Sequence, residues 1–373
     1  MTAVQHLSHA QLLAPPVRGR LPLGGIVAPA TRGPAALMTV VKLGAALGVP
    51  VVLLCSGEAR PDEVLERASS VRGARCLPVD VSGLAVGDRL PSLRTSDFPQ
   101  AINHAYGDLS LKRNLGLIIG RLAGWPSLLF LDDDIRGLSA SEVRQATGAL
   151  DQYAAVGMPA RDFPDNSVVC HARRVFRGEE QDVFVSGSAL AVNVLAADSF
   201  FPEIYNEDWL FLAPHVDRRQ VSASGKVRQD FYNPFDDPAR ASKQEFGDVL
   251  AEGIYSHLHG GTLDVPPTAR YWKAFLDDRG ALIRRAIGHC RRQASGNPVA
   301  RDALRSLKQS AAAQSAIHPR ILVDYVGAWR ADLDRWRKHV VELPCPGTVD
   351  GALDHLGLTA ETSARSVSAS SRT

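Results

Sequence analysis

Three adjacent carboxylates, Asp132-Asp133-Asp134, follow an apolar run at 128–131. Carboxylates this close repel one another, and a buried sheet does not hold them without a cation or hydrogen-bond donors. Asp132 and Asp134 can point the same way and hold a hard divalent cation, for which oxygen ligands suit Mg²⁺ or Mn²⁺. Such a cation neutralises a diphosphate that the carboxylates alone would repel. The plainer reading of LDDDIRGLSASE is a helix cap with a solvated turn, and the apolar strand leading into the triplet argues against it.

A second cluster is Tyr205-Asn206-Glu207-Asp208-Trp209, followed by Leu210 and Phe211. Acids within so apolar a run are costly unless they serve a purpose, and a carboxylate here suits a general base. Asn206 followed by acids would equally start a helix well. His257 and His259 alternate beside a glycine turn, and either can complete a metal site with one imidazole. The competing role is a satisfied structural histidine. Lys112-Arg113-Asn114 places cations where they can meet a phosphate or a carboxylate. The segment 162–174 carries Cys170, His171 and two arginines, and suits an acceptor with negative groups or a packed loop. Ser186-Gly187-Ser188 lies between apolar runs and either lines the site or makes a plain tight turn.

These residues need a scaffold, and the hydrophobic pattern supplies one. Residues 25–28 and 49–57 read as buried strands, the second a continuous apolar run of the kind found in parallel sheets, and 74–81 reads as a third strand. A helix is predicted from Pro34 to Gly48, and a short polar one follows 59. Over 110–123, Leu111, Leu115, Ile118, Ile119 and Leu122 share one face. Gly124-Trp125-Pro126 stops that helix, and a strand over 127–135 follows. The order is that of an α/β fold with helices on both faces of a sheet, its strand ends gathered at one edge. Strands and turns predominate over 150–235, with a strand, a turn and another strand over 182–194. Helices return at 240–258, 300–316 and 320–338. The organisation expected is a loose leader at 1–20, a catalytic domain at 21–262, a helical extension at 263–345 and a flexible tail at 346–373. The catalytic domain divides into a nucleotide-binding half, 21–135, and an acceptor half, 136–262. The last 13 residues are expected to be disordered.

The chain has 373 residues, 45% of them apolar and 22% charged, with a formal net charge of +2. That is enough for a large core, and the balance gives no concentrated basic face for nucleic acid. The five cysteines lie far apart with no C-x-x-C pair, which excludes a zinc knuckle and suits buried thiols in a reducing cytoplasm. No signal-peptide pattern and no 18-residue apolar run is present, so no transmembrane segment is expected; contact with a membrane surface stays open.

The series of an Arg-Asn helix, a strand ending in Asp-x-Asp, a glycine-containing strand-turn and a Glu-Asp-Trp resembles the GT-A fold glycosyltransferases, most closely the family 2 type, over roughly residues 22–260. The family often shows Ala-Arg-Asn-x-Gly before the acidic strand, and here the segment 111–116 reads Leu-Lys-Arg-Asn-Leu-Gly. The resemblance implies a GT-A-like (Rossmann-like) mixed sheet flanked by helices with a mainly helical C-terminal extension. It implies metal at Asp132 and Asp134, a sugar nucleotide near Asp132, Asp133, Arg113, Ser186 and Gly187, and a base at Asp208 with Glu207 as its neighbour. Several GT-A families supply a C-terminal histidine to the metal, which is where His257 or His259 enters. The family's second strand commonly ends in an acid that reads the nucleotide base, whereas this chain has Cys55-Ser56-Gly57. Base recognition is therefore expected from Ala28, Pro29, Thr31 or Asp80. The Gln-x-x-Arg-Trp element of processive polymer synthases is absent.

The function so implied is metal-dependent transfer of a sugar from a nucleoside diphosphate sugar to a hydroxyl of a small or lipid-surface acceptor, with inversion. The region after 262 would cover the acceptor side or build a homo-oligomer contact. One alternative is a nucleotidyltransferase acting on a sugar phosphate, although the segment 28–33, Ala-Pro-Ala-Thr-Arg-Gly, is poor in the glycine such enzymes use. Another is a catalytically inert sugar-nucleotide-binding protein.

Overall fold

The computed structural model describes residues 8–84, 89–98, 107–163, 165, 167–179 and 185–361. Its centre is a seven-stranded mixed sheet made of β1 (Gly25–Ala30), β2 (Pro50–Cys55), β3 (Arg75–Asp80), β4 (Ser127–Leu131), β6 (Ala155–Gly157), β7 (Ala189–Asn193) and β8 (Val221–Ala223). The spatial order is β3-β2-β1-β4-β7-β6-β8. β3, β2, β1 and β4 run parallel, β7 is antiparallel to both β4 and β6, and β8 is parallel to β6. A second, two-stranded sheet pairs β5 (Ile135–Arg136) with β9 (Arg228–Gln229).

The central strands are apolar throughout because both sheet faces are covered. Ile26, Ala28, Val51, Leu53, Leu129 and Leu131 face one core, with α1 (Pro34–Leu47), α2 (Pro61–Ala68) and α4 (Ala140–Gly148). Val27, Val52, Leu54, Leu128 and Phe130 face the other, with α3 (Gly107–Leu122), α6 (Glu207–Asp217) and α7 (Pro238–Leu258). That split is the two-residue period of a strand. α1 opens on Pro34 and closes on Gly48 at φ 72°, a left-handed position that favours glycine. A third core joins α5 (Val168–Arg177) to α8 (Ala269–Gln293) and α9 (Pro298–Ser315). α10 (Pro319–Glu342) carries Leu322, Val326, Trp329, Leu333 and Trp336 into the second core, and α11 (Val349–His355) follows. The result is the Rossmann/GT-A-like architecture expected, with a mainly helical C-terminal region. No helix among the described residues is long and apolar enough to cross a membrane.

Several segments differ from the sequence reading. The expected strand over 127–135 ends at Leu131, and a turn in which the Ile135 amide donates to the Asp132 carbonyl at 3.2 Å sends Ile135 and Arg136 into the second sheet. The stretch read as strands and turns, 150–235, also holds α5 and α6, and α4 lies just before it. Ser139 and Glu142 form a capping box on α4, and Ser167 caps α5 through the Cys170 amide at 3.2 Å. Only β7 is seen of the strand-turn-strand expected at 182–194; residues 182–184 lie outside the described residues. Within the segment read as a loose leader, His9, Leu12 and Ala14 are buried, and the Ala14 amide donates to the Val221 carbonyl at 2.7 Å. Within the segment read as a flexible tail, Ala352, Leu353 and Leu358 are buried; residues 362–373 lie outside the described residues.

Candidate functional site

The site is organised by α3, where each residue of the Lys-Arg-Asn-x-Gly run has a separate task. Lys112 is fully buried and donates to the Ala30 carbonyl at 3.0 Å and the Ser56 hydroxyl at 2.7 Å, tying together the ends of β1 and β2. Its charge is balanced by Asp108 at 2.7 Å. Asn114 donates to the Phe201 carbonyl and accepts from the Phe201 amide, both at 2.8 Å, which fixes the loop leading to α6. Gly116 lets α3 approach the sheet, since a Cβ there would lie 2.7 Å from the Phe130 ring. Arg113 is the one that faces the acids. Its Nη2 donates to Asp132 at 3.0 and 3.2 Å, its Nη1 donates to Glu207, and its guanidinium lies over the Phe201 ring. A Cβ at residue 187 would come within 2.4 Å of Arg113 Nη1, so Gly187 leaves room for this arginine.

The aspartate triplet separates in space. Asp132 and Asp134 line a cavity of about 530 Å³, which Asp133 does not. Asp133 turns back to the loop after β1, accepting from the Thr31 and Arg32 amides at 3.3 and 3.2 Å and from Arg32 Nε at 2.8 Å. Asp134 accepts from Gln229 Nε2 at 2.9 Å through one oxygen, while its other oxygen is buried without a hydrogen-bond partner. Facing them, Glu207 and Asp208 sit in the first turn of α6 and line the same cavity. Asp208 accepts from the Gly187 amide at 2.6 Å and from the Trp209 amide at 2.9 Å. Glu207 is committed to Arg113, whereas Asp208 is held, among the described residues, by main-chain donors.

Electrostatics follow from this crowding. Burial pushes the Asp132 carboxyl up to about 6; Arg113 pulls it down and Asp134 raises it further. Burial raises Asp134 as well, with the Gln229 bond opposing. Glu207 rises by burial, and Arg113 offsets only part of that. For Arg113 burial works against the charge, yet Asp132 and Glu207 together hold it firmly protonated.

The other expected site residues are placed as follows. Ser186 and Ser188 line the cavity with their hydroxyls 2.6 Å apart. Ala28 and Pro29 are buried inside β1, and Thr31 is exposed at its end. Asp80 closes an exposed turn by accepting from the Ser82 amide at 2.8 Å. Neither it nor Ala28, Pro29 or Thr31 is among the cavity's lining residues. His257 Nε2 lies 2.9 Å from the Val265 carbonyl, and His259 Nε2 lies 3.1 Å from His9 Nδ1, both away from the cavity lining. The arginines at 173 and 174 pair with Glu179 and Asp165, so their charges are already matched.

The structure adds lining residues that sequence patterns did not single out. Gln229 and Asp230 arrive through the short β9 pairing, and Asp230 bridges Arg32 at 3.2 Å and Arg136 at 2.7 Å. Phe231 and Tyr232 form the mouth with Phe163, whose ring stacks on Tyr232 at 4.4 Å. A pairing two residues long leaves no periodic signal, although the exposed run Phe231-Tyr232 was visible as an aromatic pair.

No group of three or more His, Cys, Asp or Glu among the described residues is arranged to hold a metal. The unpartnered Asp134 oxygen, with Asp132 beside it in the same cavity, does fit a hard cation. Mg²⁺-type ions are commonly held by one or two carboxylates and complete their shell with phosphate oxygens and water.

No protein-family model matches the chain, and no curated protein matches it. Solved structures similar to it include a mannosyltransferase from Pyrobaculum calidifontis in complex with GDP-Man and Mn²⁺, 13% identical over 92% of this chain and 89% of that one, with a TM-score of 0.40. Another is the glucosyl-3-phosphoglycerate synthase of M. tuberculosis, 18% identical over 67% of this chain and 84% of that one, with a TM-score of 0.39. Likenesses this distant assign no role to any residue of this chain.

Proposed function

We propose that the chain is a glycosyltransferase of GT-A type, moving a sugar from a nucleoside diphosphate sugar to an acceptor hydroxyl. The observation that carries this reading is one cavity with two unlike carboxylate sets: Asp132 and Asp134 at the end of β4, and Asp208 at the start of α6. A cavity at the carboxyl edge of a largely parallel sheet is where such folds take ligands. Asp132 and Asp134 would hold Mg²⁺ or Mn²⁺, which when bound offsets the charge of the leaving diphosphate. Arg113 keeps Asp132 in place and ties it to Glu207. Asp208, held by two main-chain amides, is free to accept the proton of an acceptor hydroxyl as that oxygen attacks the anomeric carbon. Attack from the face opposite the diphosphate inverts the configuration, which is the outcome this reading favours. Ser186 and Ser188 offer hydroxyls to the sugar. Hydroxyl acceptors that are small, or presented at a lipid surface, suit an open cavity rimmed by aromatic side chains.

The test is a thermal-shift panel of nucleoside diphosphates with and without Mn²⁺, followed by product analysis. A ligand that binds only the folded state raises the melting temperature. A shift that needs both Mn²⁺ and one diphosphate, with free nucleoside diphosphate as product, is expected. No shift with any nucleotide overturns the reading, and pyrophosphate as product would reassign it to nucleotidyl transfer.

A further inference from the structure

Asn206 stands immediately before Glu207 and Asp208, and its backbone is left-handed at φ 61°. An asparagine before a helix ordinarily caps it, its side-chain oxygen accepting a first-turn amide. Here Asn206 makes no such cap. Its side-chain amide instead donates to Asp248 Oδ1 on α7 at 2.8 Å, and the first-turn amide of Trp209 is taken partly by Asp208 itself. The capping group has been drawn to another element.

Asp248 is held in turn by α8. Arg279 is fully buried, donates to both oxygens of Glu245 at 2.9 and 3.1 Å, and reaches Asp248 Oδ2 at 3.4 Å. α7 and the turn before α6 are also in direct contact. A Cβ on Gly247 would lie 2.2 Å from the Tyr205 carbonyl oxygen, so only glycine permits this approach. Tyr255, two turns further along α7, donates to the Trp209 carbonyl at 3.2 Å. The buried charges would be expensive as mere packing, because apolar residues of similar volume are often as stable. What they add is a fixed direction: three elements meet at the residue that sets where α6 begins.

We infer that Asn206, Asp248 and Arg279 form a buried clamp by which the helical region after residue 262 positions the Glu207–Asp208 pair. They are positioning residues for the transfer reaction, a role that rests on the proposed function, whereas the clamp on α6 itself does not. Small displacements of a catalytic group cost turnover more than binding, since ligand contacts made elsewhere are kept.

Hydrogen exchange and steady-state kinetics of the full chain test this. In the wild type, peptides spanning 205–212 should exchange as slowly as those of 244–252; a first turn of α6 that exchanges quickly overturns the clamp without any variant. Asn206→Gly keeps the left-handed backbone and loses the tie. It should speed exchange over 205–212 and lower kcat by about 10- to 100-fold with the donor KM within about twofold. Asp248→Ala breaks the same tie from the other end and leaves Arg279 paired with Glu245. The double variant should be about as slow as the worse single one; losses that multiply overturn the proposal, as does wild-type exchange in Asn206→Gly. If the wild type turns over no sugar nucleotide, the proposed function fails, and exchange alone decides the clamp.

Discussion

Two arginines each gather carboxylates, and the contrast between them separates a candidate site from a support. Arg113 holds Asp132 and Glu207, and Arg279 holds Glu245 and Asp248. Both guanidiniums are buried. The difference is the acids. Asp132 keeps 24% of its side chain exposed in the cavity, with an unpartnered Asp134 oxygen nearby, whereas Glu245 and Asp248 are 0% and 3% exposed. A sealed cluster can only orient its neighbours. An open one can meet a ligand, because its acids reach the cavity and one Asp134 oxygen has no protein hydrogen-bond partner among the described residues.

The sharpest way to break this contrast is Arg279→Ala. Removing one partner of a sealed cluster leaves uncompensated buried charge and should cost about 3–5 kcal/mol in urea unfolding. Arg113→Ala should cost less, because Asp132 can turn to solvent and only Glu207 is left buried without its partner. Equal losses would erase the distinction. Next in size, Asp208→Asn should lower turnover at least about 100-fold while leaving the diphosphate-dependent melting shift intact. If it abolishes the shift as well, Asp208 belongs to the donor side.

Asp134→Asn should do the reverse. At ligand concentrations near 100 times Kd it should remove a Mn²⁺-dependent stabilisation of about 2.7 kcal/mol. The melting temperature without ligand should be unchanged or higher, since one of three crowded carboxylates is neutralised. A lower value would make Asp134 part of the support. The smallest effect concerns pH. With Asp132 pushed up to about 6, Mn²⁺ affinity in the presence of a diphosphate should fall as pH drops below about 6, by about tenfold per unit. The folded state binds this proton more tightly than the unfolded chain does, so at this group acidification between about 6 and 4 adds stability. The binding loss should thus appear against an unligated fold that does not lose stability through Asp132. Titration calorimetry that is flat from pH 7 to 5 would contradict it.

Much of the scaffold was readable in the residues. The uninterrupted apolar runs of β1, β2 and β4 require two covered faces, and the 3.6-residue stripe of α3 requires a sheet to lie on. The site was readable as separate clusters, 132–134, 186–188 and 207–208, which the fold gathers around one cavity. The short helices α4 and α5 were harder to see, although Ser139 and Glu142 spell a capping box. The segment 8–14 looked like a leader because its few apolar residues carry no period; its burial rests on contacts more than 200 residues away, such as Ala14 with Val221.

Local chemistry could state that Asp132, Asp133 and Asp134 repel, that Glu207 and Asp208 are costly in apolar surroundings, and that Gly187 marks a tight place. Which aspartate turns to the loop after β1, which acid Arg113 takes, and whether Asn206 caps its own helix are long-range questions. Each is decided by a partner between 19 and 102 positions away. A side chain's hydrogen-bonding capacity is fixed by its type, but its partner is fixed by whichever group the packed core brings within 3 Å.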